Sequence, residues 1–451
     1  KPLRGPGMGG LSPYHFAYAL ERVRFEPTKT TLRLGGVDLR FGEDFQSFIT
    51  EPTEGEALFL GYGLKAPEAG WDDYQGADLK GKWVVALTGL PPQAEARLRE
   101  AFPQPGAVEA SRLKAAQEAG ALGLILVQGA HPGEPDLRTP FSRFARRLQE
   151  PQLRLKGGDG ERRLPRMIGV FPSGARALGL EVGALQKALD DSGRPAAPRS
   201  LGPLALNWSA VTEPVQASDV VGLVPGTDPK LREEVVLVSA HHDHLGLEGG
   251  TLHPGADDDA SGTAGILETA RLLRRAKPKR TLLFLSVSGE ENGLFGSRAF
   301  TRLPPLPLDR VVADLNLDMI GRGRPDELHV TPARIEGAVT TLTAEARRIA
   351  EAQGFPLSCG AEGYWRRSDH YNFVKKGIPA VFFFAGMHED YHRSTDTADK
   401  IDYRKLARVV KVTRDLALAV ANAPGRPQPV PRETYEGWTW AYTSTGPEPG
   451  L

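Results

Sequence analysis

Cysteine is almost missing: Cys359 is the single one among 451 residues. One thiol cannot close a disulfide within the chain, and it excludes a zinc site built from thiolates. It leaves the compartment open, because exported proteins need not carry disulfides. Net charge is missing too, with 56 Lys plus Arg against 56 Asp plus Glu. A neutral chain offers no global field for nucleic acid or an anionic membrane, so clusters such as RRLPR and LRRAKPKR read as solvated faces or helix C-termini. No apolar stretch approaches the roughly 20 residues of a membrane span, and there is no internal repeat or low-complexity block. What remains is an ordinary globular composition, 40% hydrophobic and 25% charged, at a length that favours two domains. The chain starts at Lys1 rather than Met. The expectation is a removed signal peptide and an extracellular or periplasmic protein, with the cytoplasm still open.

Along the chain, SPYHFAYALERVR (residues 12–24) predicts an amphipathic helix with Ser12 as N-cap and Pro13 at N1. Short strands follow at TLRL, VDLRF and ALFLGYG, separated by glycine turns. Then KWVVALTG, SRLKAAQEAGA and LGLILVQ alternate strand, helix, strand, before RMIGVF and a helical stretch near 174–190. This region holds almost no histidine, which marks it as a small α/β domain without chemistry of its own. DSGRPAAPRSLGP (191–203) has the Pro, Gly and Ser content of a linker. Beyond it, the strands EVVLVSA, TLLFLSVS, VVADLNLDMIG and IPAVFFFAG alternate with the helices DASGTAGILETARLLRR and VTTLTAEARRIAEAQG. That grammar predicts an α/β fold: a mostly parallel mixed sheet with helices on both faces. The domain expectation is an N-terminal piece of the main domain over 1–40, an inserted domain over 41–200, the main domain over 201–425 and a Pro-rich surface tail over 426–451.

In such a sheet, ligands bind beyond the carboxyl ends of the strands. EVVLVSA runs into His241 and Asp243, TLLFLSVS into Glu290 and Glu291, VVADLNL into Asp318, and IPAVFFFAG into a loop ending HEDYHRSTDT. A solvated loop explains one such case; four together point to a metal or acid–base site. Imidazole mixed with carboxylate, without cysteine, suits Zn²⁺ and its first-row neighbours better than Mg²⁺ or Ca²⁺. The number of acids suggests two ions, whose repulsion a bridging carboxylate offsets, and Asp257 to Asp259 in PGADDDASG are placed for that. Two-metal sites acidify a shared water into a hydroxide nucleophile.

At these residues the sequence resembles the co-catalytic di-zinc exopeptidases, and within them the bacterial aminopeptidases that carry an inserted protease-associated domain. The matching segments are VSAHHDHLG, HPGADDDASGTAGILE, FLSVSGEENGLFGS, LNLDMIG, SDHYNFVKKGIPAVFFF and DYHRSTDTADKI, covering most of 235–402 in the family's order. The inserted region fits more loosely, through LGYGLKAPEAGWDDYQGADLKGKWVVAL and AAQEAGALGLILVQ. The resemblance implies two Zn²⁺ per chain, with His241, Asp257, Glu291, Asp318 and His392 as ligands. It makes Asp257 the bridge, places a cis peptide at Asp257–Asp258, and has Asp243 orient His241 through the other ring nitrogen. Glu290 is then the general base, and Tyr391 the phenol that polarises the scissile carbonyl. His242, His244, His253 and His388 are left as pocket wall or bystanders, and Asp258 and Asp259 as structural, with Asp259 an N-cap. Asp369 and His370 either line the pocket or, for Asp369, cap a helix.

The implied activity is hydrolysis of the N-terminal bond of peptides, with the inserted domain restricting the cleft to peptide ends. Competing readings are a glutamate carboxypeptidase-like enzyme, favoured by Arg366 and Arg367 in YWRRSDHY, an aminoacyl cyclase with one zinc, and a receptor-like relative without metals. The last requires missing ligands, and none is missing. Side-chain preference and oligomeric state are not written in the sequence.

Overall fold

Four largely apolar runs form the middle of the larger sheet, because strands covered on both faces bury nearly every side chain. The computed structural model describes residues 1–104, 106–131, 136–139, 141, 144, 148, 150–157 and 165–441. Seven of the strands of this sheet are β1 (His15–Phe25), β2 (Ala210–Val224), β3 (Val235–His241), β4 (Thr281–Val287), β5 (Val311–Leu317), β6 (His329–Thr331) and β7 (Ala380–Phe384). Their spatial order is β1-β2-β4-β3-β5-β7-β6. The central four, β4-β3-β5-β7, are parallel, while β2 and β6 pair antiparallel at either side.

Five helices flank the sheet: α1 (Gly262–Leu273), α2 (Phe295–Arg302), α3 (Thr341–Ala352), α4 (His370–Val374) and α5 (Tyr403–Asn422). Ile266 of α1, Leu342 and Ile349 of α3, and Val409 and Leu416 of α5 share one core with Val236, Val238, Leu315, Val381 and Phe383 of the strands. The other face is aromatic. Phe300 of α2 lies edge-on to Phe16 at 5.3 Å and 6.0 Å from Phe373 of α4. Two starts are capped as their sequences direct: Thr340 accepts from the Leu342 N–H, and Asp402 from the N–H groups of Arg404 and Lys405. Among the described residues no helix is long and apolar enough to cross a membrane.

Three expectations need correction. Residues 12–24 form no helix; β1 occupies this stretch, with Phe16, Tyr18 and Leu20 buried on alternate positions. A period of two outweighs the helical reading once one face meets a core. Ser12 caps nothing and instead pairs its hydroxyl with His15 Nδ1 at 2.7 Å. The domain boundaries also move: one compact unit is Lys1–Leu20 with Val215–Leu451, the other Glu21–Pro214. The reason is strand pairing. Arg199–Asn207, assigned to a linker and the main domain, pairs with Thr31–Leu34 and Thr53–Phe59. The smaller unit continues through Lys82–Leu87, Gly123–Val127 and Met167–Val170.

The third correction concerns the C-terminal stretch. It is no loose tail as far as it is described: Arg432–Glu436 is a short helix, and Trp440 joins the core containing α3 and α5. The Arg347 guanidinium sits 5.6 Å from both the Trp438 and Trp440 rings. Residues 442–451, and Arg162 and Arg163 of the RRLPR cluster, lie outside the described residues. Trp440→Ala removes a large buried ring and is expected to cost about 3 kcal/mol, read as a lower urea midpoint.

Candidate active site

Four strand ends meet at one rim. His241 is the last residue of β3, Glu290 and Glu291 follow β4, Asp318 follows β5, and Tyr391 and His392 lie in the loop after β7. The turn after β4 needs Gly289: its φ is +71°, and an added Cβ would stand 3.0 Å from that of Phe295. Met319 and His392 hold φ of 53° and 57°, a conformation side chains rarely adopt and one that concentrates at functional sites.

The acidic triplet divides its work by residue. Asp259 is anchored by backbone, accepting from the N–H groups of His241 (3.1 Å), Gly262 (2.9 Å) and Met319 (3.1 Å). It thereby ties β3, the start of α1 and the end of β5 together. Asp257 turns the other way, accepting from the Gly321 N–H at 2.7 Å with its second oxygen 3.2 Å from His388 Nε2. Asp258 stands between the histidines, with Oδ1 3.3 Å from His241 Nε2 and Oδ2 3.2 Å from His392 Nε2. The carboxylate that faces both histidines is thus Asp258, one residue after the Asp257 expected there, and the cis peptide is Asp258–Asp259 rather than Asp257–Asp258. Three consecutive aspartates look alike in a sequence; only the turn decides which carboxylate faces the cleft.

Around Asp258 the donors form two groups. His241 Nε2 lies 3.7 Å from Asp318 Oδ1, and His392 Nε2 lies 3.2 Å from Glu291 Oε2. His244, expected as pocket wall, belongs to the second group, with Nδ1 2.7 Å from Glu291 Oε1 and 3.9 Å from Asp258 Oδ2. Its proximity to Glu291 comes from a turn that sequence spacing does not reveal. Asp243 touches His241 Nδ1 chiefly through its backbone carbonyl, at 3.1 Å against 3.7 Å for the carboxylate. That carboxylate accepts from the N–H groups of Glu290 (3.1 Å) and Glu291 (3.3 Å), so Asp243 also sets the loop carrying both glutamates. Asp369 and His370 are buried, bonded to the Ser297 hydroxyl and the Trp365 carbonyl.

Zinc fits this donor set. Ligands about 2.0–2.1 Å from a tetrahedral ion are about 3.3 Å apart, which is the spacing of Asp258 from His241 and His392. Both ring nitrogens of His244, Nε2 of His392 and Oε1 of Glu291 are buried without a well-oriented hydrogen bond, an arrangement costly for polar atoms lacking another partner. The electrostatics point the same way. Burial alone would lower the His241 pKa, yet Asp259, Asp243, Asp258 and Asp318 hold it well above the ordinary value. His392 is opposed by burial but raised to about 9 by Asp258 and Glu291. Asp258 is held low despite burial, by His241 and His392. A field that draws protons onto two imidazoles is one that also holds cations. Glu290 stands apart: burial, with Asp369, Asp318 and Glu291 nearby, pushes it well above the usual carboxylate range against the pull of His241.

Beside these donors a cleft opens, lined by Asp258, Glu290, Glu291 and Asp318. Met319, Tyr364, Phe382, Phe384 and Met387 line it too, as do Arg367 and Tyr391. Acid–base groups and an apolar wall share one space.

Residues 219–417, which contain every one of these donors, match the family model of peptidase family M28. Over these residues the chain is similar to peptidase family M28. A probable zinc metalloprotease of Pyricularia oryzae is 32% identical over 288 residues, covering 52% of this chain and 56% of that protein. Aminopeptidase YwaD of Bacillus subtilis is 31% identical over 182 residues, 38% of each. The chain thus spans little more than half the length of the first of these relatives and less of the second. Among solved structures, an aminopeptidase from Aneurinibacillus sp. strain AM-1 is similar at a TM-score of 0.47 and 22% identity, over 92% of this chain and 87% of that one. The matched region begins within β2 and ends within α5, so it takes in the whole parallel centre of the sheet.

Proposed function

We propose that the protein is a two-zinc aminopeptidase that hydrolyses the N-terminal bond of peptides. The observation that carries this is Asp258, whose two oxygens face two separate histidine–carboxylate groups. His241 and Asp318 would hold one ion, Glu291 and His392 the other, and Asp258 both, with His244 beside the second. When bound, the metal pair supplies Lewis-acid polarisation of a carbonyl and acidifies water.

The chain's own residues do the rest. Glu290, half-buried in the lining of the cleft, takes a proton from the attacking water as the O–C bond forms. It returns that proton to the leaving amine as the C–N bond breaks. Asp243 keeps the Glu290–Glu291 loop in place. Tyr391 donates a hydrogen bond to the substrate carbonyl oxygen as negative charge grows there. Met319, Phe382 and Phe384 give an apolar side chain at the first residue a dry wall. The smaller unit is read as a protease-associated domain, on its place between the two pieces of the larger unit and the segments noted above.

Release of p-nitroaniline from leucine p-nitroanilide tests the reading. Activity should vanish on chelation and return with two zinc per chain. An inactive zinc-loaded protein that instead cleaves amino-blocked peptides ending in glutamate would replace it with a carboxypeptidase. Zinc uptake should also depend on pH. His392 binds its proton up to about 9, and the ion must displace that proton. Apparent zinc affinity should therefore rise from pH 6.5 to 8.5 in a chelator competition, whereas a flat profile would remove His392 from the ligand set.

A further inference from the structure

We propose that Arg367 is a positioning residue that aims the Tyr391 hydroxyl at the substrate carbonyl, an inference that rests on the aminopeptidase reading. Arg367 Nη2 donates to Tyr391 Oη at 3.3 Å. A phenol oxygen that accepts from a guanidinium turns its own O–H away from that donor. Both side chains border the cleft containing Asp258 and Glu290, so the freed O–H has the reacting carbonyl to serve.

Both partners are held. The Tyr391 ring stacks on His392, with centroids 3.8 Å apart and planes at 23°. Arg367 lies over the Tyr364 ring at 5.1 Å, and its backbone N–H donates to the Tyr364 carbonyl at 2.9 Å. The next residue, Ser368, is buried and accepts from Asn316 Nδ2 at 2.8 Å, which ties this segment to β5. Among the described residues Arg367 forms no ion pair. Its positive charge therefore reaches the tyrosine without a carboxylate beside it to cancel it. As the carbonyl oxygen gains charge, the tyrosine keeps its proton and strengthens its hydrogen bond, and Arg367 stabilises the partial negative charge left on Oη.

The test is a double-mutant cycle on the zinc-loaded full chain, with wild type, Arg367→Ala, Tyr391→Phe and the pair. Steady-state kinetics on leucine p-nitroanilide is paired with calorimetry of a phosphinic dipeptide that mimics the tetrahedral centre. Arg367→Ala should lower kcat about tenfold with KM within twofold, and weaken the phosphinic ligand to match. The double variant should be no worse than Tyr391→Phe, and Arg367→Lys should recover part of the loss. Additive losses, or a KM rise with kcat intact, would overturn the pairing, the latter making Arg367 a ground-state contact of the substrate. Wild type without turnover would instead overturn the aminopeptidase reading, and the calorimetric cycle would then decide the Arg367–Tyr391 coupling by itself.

Discussion

Glu290→Gln is expected to keep both zinc ions and its fold while losing about 10³-fold in kcat. The substitution preserves size and a hydrogen-bonding oxygen but cannot carry a proton. The Glu290 N–H still donates to Asp243, so the loop that also presents Glu291 stays where it is. That separation is what makes the result informative. A ligand variant loses metal and activity together, whereas a base variant loses activity alone. Metal analysis beside kinetics distinguishes the two, and substantial turnover in a fully loaded Glu290→Gln protein would transfer the base to another residue.

Asp258→Asn and Asp257→Asn should part company although the residues are neighbours. Asp258→Asn removes the charge facing both His241 and His392, so bound zinc should fall from two to below one per chain after dialysis. Affinity should drop by at least about 100-fold, beyond what loss of an outer contact brings. Asp257→Asn retains an acceptor for the Gly321 N–H and should hold near-full zinc. Equal metal content in the two variants would mean that the bridge lies elsewhere.

Much of this architecture was legible because its signals are local. Largely apolar strands such as TLLFLSV and VVADLNL have one solution, the centre of a covered sheet, and a histidine or acid directly after each must stand at the rim. His241, Glu290, Glu291 and Asp318 were placed in that way, while the family resemblance singled out His392 and added the roles. Signals that depend on partners were misread. HFAYALERVRF carries apolar residues at both helical and strand spacings, and only its pairing in the sheet selects the strand. Asp257 and Asp258 differ by which way a tight turn faces, and no periodicity encodes that. His244 is three residues from His241, but its ring meets Glu291, a residue brought from another strand. Arg367 sits in a short irregular segment where spacing says nothing, and its link to Tyr391 exists only after β7 and its loop are in place.

The larger unit is joined across the sequence of the smaller one: the Val221 N–H donates to the Tyr14 carbonyl at 2.7 Å, and the Leu223 N–H to the Lys1 carbonyl at 2.9 Å. This sets an order of events on the ribosome. Residues 1–20 are made well before their partners in 215–224, and the pairing must wait until those have left the exit tunnel. Joining them across a flexible loop of that length carries an entropy cost and slows folding. If the Glu21–Pro214 unit has already collapsed, the wait ends with a tether far shorter than the sequence separation suggests. The larger sheet would thus close after the smaller unit has formed, although its first strand is made before that unit.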